Sequence, residues 1–194
     1  MKYRRLGRTE LKVSELGMGT WQTFDVQGRA PDAHCARITA EALRLGVNFY
    51  DTAPMYGEAE RVLGQALKSN REEALIATKV LEHSEAAAEA SIERSFKLLK
   101  TDVIDLFQIH NLASWRLVTP ILKRYQKEGR IRYIGITDYN VSKYPEMIEA
   151  MRTGDFDTIQ IPYHLGERTC RIKIIPLARE LDMGVIVMTP VAPL

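Results

Sequence analysis

The chain has 194 residues, 45% hydrophobic and 27% charged, which reads as one soluble globular domain spanning 1–194. Lys and Arg total 27 against 25 Asp and Glu, and the formal charge of +2 argues against nucleic acid or an anionic membrane as the main partner. No run approaches the ~20 apolar residues of a membrane span, and MKYRRLGRTE lacks the apolar region of a secretion signal. Cys35 and Cys170 lie far apart and outside any metal-ligand spacing. A cytoplasmic protein with no structural metal is the expectation.

In chain order, Leu6-Gly7-Arg8-Thr9 between Tyr3 and Leu11-Val13 predicts a β-hairpin. LGMGT (16–20) follows as a first strand, and then comes a helix with Cys35, Ile38, Ala42 and Leu45 on its apolar stripe. Asp32, behind Pro31, suits the N-cap of that helix and Gly46 its stop. VNFYD (47–51), LIATK (75–79), VIDLFQIH (103–110), YIGIT (133–137), TIQI (158–161) and VIVM (185–188) are further strands. Helical stripes separate them: Val62, Leu63, Ala66 and Leu67; Ile92, Phe96 and Leu99; and Met147, Ile148 and Met151 behind Pro145. The crossover helices imply parallel strands. An open doubly wound sheet is the rival architecture, but LGMGTWQ offers only Gly17 and Gly19 and no third glycine. The α/β reading is therefore a parallel (β/α)8 TIM barrel with about seven βα units present, after an N-terminal β-hairpin.

Asp51, Lys79 and His110 each close a strand at its C-terminal end, where barrel enzymes carry their chemistry. Alternation puts Phe49 with Asp51, Ala77 with Lys79, and Gln108 with His110 on common faces, so all three polar ends can point inward. Lys79 either snorkels to solvent or is buried, in which case Asp51 supplies the counter-charge that a buried ammonium needs. Tyr56, five residues after Asp51, can fold back over the rim. His110 is either a core histidine bonded to a carbonyl or a donor at the mouth. The set has a chemistry. A phenol with a pKa of about 10 is a poor acid, a nearby ammonium lowers that value, and Tyr56 becomes a general acid towards a carbonyl oxygen. His110 can give the same oxygen a second hydrogen bond. None of these groups supplies hydride, so a nicotinamide cofactor is required.

YRRLGRTELKVSELGMGTW (3–21), GVNFYDTAPMYGEAERVLG (46–64), ATKV (77–80), DLFQIHN (105–111) and GRIRYIGITDYN (129–140) together resemble the aldo-keto reductases. The resemblance implies NADPH, less often NADH, as cofactor, a small-molecule carbonyl substrate, and Asp51, Tyr56, Lys79 and His110 as catalytic residues. It places Thr20, Trp21 and Asp51 near cofactor and substrate, Thr137-Asp138 where the family commonly has Ser-Asn on the carboxamide, and Gln160 beneath the nicotinamide. Met188 stands where many members stack a tyrosine, and Thr189 and Pro190 begin the pyrophosphate loop. Trp21, Trp115 and Tyr163 are candidates for an aromatic pocket. Barrels of this kind need ~250 residues. The eighth strand and the clamp for the adenosine 2′-phosphate are therefore expected to be missing, as in a fragment or a shortened member completed by another chain. Open barrel edges favour self-association, and NADPH binding should be weak. Two other functions fit the residues: a regulatory, cofactor-binding protein on this scaffold, and a Schiff-base aldolase using Lys79.

Overall fold

A computed structural model describes residues 1–191 of the chain. The predicted hairpin is present: β1 (Tyr3–Arg5) pairs antiparallel with β2 (Lys12–Ser14). Seven parallel strands follow, hydrogen-bonded in chain order: β3 (Met18–Gly19), β4 (Phe49–Asp51), β5 (Leu75–Val80), β6 (Ile104–His110), β7 (Ile131–Thr137), β8 (Thr158–Pro162) and β9 (Gly184–Met188). Helices α1 (Arg29–Arg44), α2 (Ala59–Ala66), α3 (Glu85–Leu99), α4 (Trp115–Lys127), α5 (Tyr144–Arg152) and α6 (Ile174–Glu180) form the crossovers. The sheet curls as in a TIM barrel, and among the described residues β3 and β9 are its outer strands. None of the described helices is long and apolar enough to cross a membrane.

Alternation along the strands splits the apolar residues between two clusters. Ile76, Phe107, Ile109, Ile134 and Ile136 belong to the main core with the helices. Phe49, Ala77 and Leu106 point inward and meet Leu6 and Leu11 from the hairpin, which thereby plugs the bottom of the barrel. The plug is tied to both sides of the sheet. Ser14 donates its backbone N–H to Asn48 just before β4 (2.7 Å), while Arg8 donates to the Phe156 carbonyl just before β8 (2.7 Å). Gly7 approaches β9 so closely that a Cβ there would lie 2.0 Å from the Gly184 nitrogen.

Helix α1 departs from expectation. It starts three residues before Asp32, with Gly28 as N-cap, and Asp32 instead pairs with Arg61 of α2 (2.7 Å). Its buried face is Cys35 with Thr39, whereas Ile38 and Leu45 are exposed. The stop holds: Gly46 has φ +85° and donates to the Leu43 carbonyl, and Val47 donates to Ala42, a Schellman closure. The Val62–Leu67 and Ile92–Leu99 stripes are buried, apart from a half-buried Ala66.

Asp105 ties β5, β6 and β7 together near their N-terminal ends. It is 4% exposed and accepts from Arg71 (2.9 Å), Arg132 (2.7 Å) and the buried Ile76 N–H (2.9 Å), so its loss leaves that N–H without its acceptor. An unsatisfied buried donor is destabilising. Asp105→Ala is expected to lower the unfolding free energy by about 1–3 kcal/mol, measured by urea denaturation, and a change below about 0.5 kcal/mol would refute the assignment.

Candidate active site

Asp51 ends β4 with its side chain inward, opposite Ala77 in the register with β5, and Lys79 follows two residues along. Lys79 is 2% exposed, so snorkelling is excluded. Its Nζ donates to Asp51 Oδ2 (2.7 Å) and to the Thr52 carbonyl (2.9 Å), the acceptors that a desolvated ammonium requires. Gln108 Nε2 donates to the other carboxylate oxygen, Oδ1, at 3.2 Å.

Tyr56 sits on the turn between β4 and α2. Its own N–H bonds back to Ala53, and its carbonyl accepts from Ala59. The next residue, Gly57, has φ +58°, and a Cβ on it would fall 2.1 Å from Asp25 Oδ1, which accepts from the Glu58 N–H (3.0 Å). Glu60, in the first turn of α2, accepts from the Thr78 hydroxyl (2.6 Å), fastening that helix to the residue before Lys79. The phenol ring is thereby held with its centroid 5.0 Å from Lys79 Nζ, and edge-on to His110 at 6.0 Å.

Burial drives the ionisation of both rings away from charge. It raises the Tyr56 phenol above its usual value, and the Lys79 charge offsets this only in part. The sequence accounts for the ammonium but not for the burial, which outweighs it. His110 is lowered to about 4, first by burial and then by Lys79. At neutral pH it is an uncharged imidazole with a single N–H. Its Nδ1 is buried and has no protein partner, so the carbonyl-bonded core histidine is not what the fold builds.

The four residues line a cavity of about 1090 Å³, which runs from the rim down between β3 and β9 to the hairpin. Thr20, Trp21, Thr137, Gln160, Met188, Thr189 and Pro190 line the same cavity. Asp138 does not: it is buried, and its Oδ1 accepts from the Asn140 N–H (2.8 Å), closing the turn after β7. Of the three aromatic candidates, only Trp21 reaches the wall, while Trp115 packs on Phe156 and Tyr163 on the main core. The expectation passed over Gln108, Asp25 and the cavity-lining Asn111. Alternation pointed to Gln108 alone, which shares the inward face of His110.

Residues 15–193 match the Aldo/keto reductase family, and the chain belongs to it. It is 30% identical over 210 residues to L-galactose dehydrogenase of Arabidopsis thaliana, covering 99% of this chain and 66% of that protein. The chain thus spans just under two thirds of that relative. An aldo-keto reductase from Bacillus halodurans superposes with a TM-score of 0.83 at 31% identity, covering 99% of this chain and 67% of that one. One from Klebsiella pneumoniae, in complex with NADPH, gives 0.83 at 25% identity, covering 98% and 68%.

The depressed pKa of His110 has a thermodynamic consequence. Between about 4 and the ordinary histidine value of 6.5 the unfolded chain binds the proton and the folded chain does not. Stability is therefore full above that window and is lost as pH falls through it. NMR titration should give one histidine with a pKa of about 4 that disappears in His110→Gln, and a value near 6.5 would refute the burial argument.

Proposed function

We propose that this chain carries the catalytic face of a reductase that converts an aldehyde or ketone to an alcohol, with NADPH or, less often, NADH as the reductant. The observation that carries this reading is the buried Lys79 ammonium, bonded to Asp51 at 2.7 Å and lying 5.0 Å from the Tyr56 ring centroid. The cavity wall fits a nicotinamide. Gln160 is buried there, and its Oε1 has no protein partner, an acceptor suited to a carboxamide N–H. Thr137 is its register neighbour on β7 and would share the amide. Met188 would pack against the ring, with Thr20 and Trp21 at the rim and Thr189 and Pro190 towards the pyrophosphate. Asp138 would act indirectly, by shaping the turn beside Thr137. The NADPH complex of the Klebsiella relative supports this choice of cofactor.

When bound, the nicotinamide supplies the hydride that adds to the carbonyl carbon. Tyr56 donates its phenolic proton to the carbonyl oxygen in the same step. The phenolate left behind faces Lys79, whose charge stabilises it. Asp51 keeps the ammonium in place. His110, neutral, donates its N–H to the same oxygen and stabilises charge as it develops there. Asp51, Tyr56, Lys79 and His110 are the catalytic residues in this reading.

The aldolase alternative is disfavoured by the same ion pair. An amine that attacks a carbonyl must be free of its proton, whereas a carboxylate and a backbone carbonyl both accept from Lys79. A purely regulatory role would leave the cofactor bound without turnover. Carbonyl-dependent loss of NADPH absorbance, measured with small aldehydes, separates these readings. Tyr56→Phe is expected to reduce turnover by about 10²- to 10⁴-fold while fluorescence titration shows NADPH binding unchanged. Equal turnover in the two proteins would sink the mechanism.

A further inference from the structure

Gln108 is fully buried on β6, in register with Lys79 on one side and Gly135 on the other. Its Nε2 holds Asp51 Oδ1 (3.2 Å) while Lys79 holds Oδ2 (2.7 Å). The two carboxylate oxygens are thus gripped from different strands, so the group cannot rotate without losing one bond. The other end of the amide is costly. Gln108 Oε1 is buried without a partner, as is Thr158 Oγ1 on β8, and an unpaired buried acceptor is penalised. An apolar side chain would fill this position without that cost. Gly135 leaves the space in which these groups sit: a Cβ there would lie 2.3 Å from Thr158 Oγ1 and 3.2 Å from Gln108 Cγ. Gly135 lies within β7 and has no positive φ, so what it provides is room and not a special conformation.

We infer that Gln108 is a positioning residue that locks the Asp51 carboxylate, and through it the Lys79 ammonium against Tyr56, with Gly135 forming the seat for its side chain. The inference rests on the reading of Tyr56 as proton donor and extends that machinery to two residues that touch neither substrate nor cofactor.

The test compares Gln108→Met, which keeps the volume but removes the amide, with Gly135→Ala, which keeps the amide but crowds its seat. The readout is hydrogen exchange of the Lys79 ammonium by ¹⁵N NMR, its signal identified by its loss in Lys79→Met. Both variants are expected to exchange at least tenfold faster, and carbonyl-reduction kcat to fall roughly ten- to hundredfold with KM little changed. Wild-type exchange in both variants overturns the inference, as does a lowered unfolding midpoint with wild-type exchange, which would make Gln108 merely structural. If Gln108→Met fails to fold, Gly135→Ala decides alone. A wild-type protein that binds NADPH but reduces no carbonyl refutes the functional reading, while ammonium exchange still tests the lock.

Discussion

A lysine 2% exposed inside a barrel is the constraint on which the rest of the upper barrel depends. Removing an ammonium from water costs several kcal/mol unless acceptors replace the water. The fold supplies them from two directions: the Asp51 carboxylate at the end of β4, and the Thr52 carbonyl just beyond. This works only if β4 and β5 hold their register, since a slip of one residue would turn Lys79 out of the barrel. Backbone hydrogen bonds at both ends of the pairing hold that register: Leu75 N–H to the Asn48 carbonyl (2.6 Å) and Thr52 N–H to the Ala77 carbonyl (2.9 Å).

Around this ion pair the barrel arranges groups that stay neutral. Burial moves Tyr56 upward and His110 downward, away from the charged form in each case. One ion pair therefore sits among neutral donors in a site of low polarity, where its field reaches further than in water. Displaced ionisation of neighbouring groups in a cleft is the usual mark of acid–base work. Here one leading cause, desolvation, acts on two rings of opposite charge type, while the Lys79 charge adds to it at His110 and opposes it at Tyr56.

The fold was legible because its signals are local. Apolar runs, helical stripes and strand-end polar residues specify seven parallel strands in chain order, and alternation alone puts Asp51, Lys79 and His110 on the inner face. What was not legible depends on contacts distant in sequence. Asp32 has the residue type and position of a cap, but Arg61, 29 residues on, offers a charged partner and the helix begins earlier. Asp138 has the position of a cofactor ligand but not the family's asparagine, and a local turn engages one of its carboxylate oxygens. The direction of the Tyr56 shift needed the depth of the phenol as well as the nearness of an ammonium. Gln108 and Asp25 act through partners 57 and 33 residues away: alternation put Gln108 on the inner face but did not name its partner, and nothing in the immediate sequence announces Asp25.

The plug at the bottom of the barrel bears on the rim as well. Because Gly7 touches the backbone of Gly184, the start of β9 is fixed by the hairpin at van der Waals distance. A five-residue strand paired in register with β8 from Gly184 to Met188 transmits that placement along its length. Arg8 adds a tie to the neighbouring strand, reaching the Asp157 carboxylate and the Phe156 carbonyl just before β8, the strand that carries Gln160. Closely packed interiors transmit such displacements because they have no slack to absorb them. The N-terminal hairpin, remote from the chemistry, thus buttresses the starts of β8 and β9, the two strands that carry Gln160 and Met188 to the cavity wall.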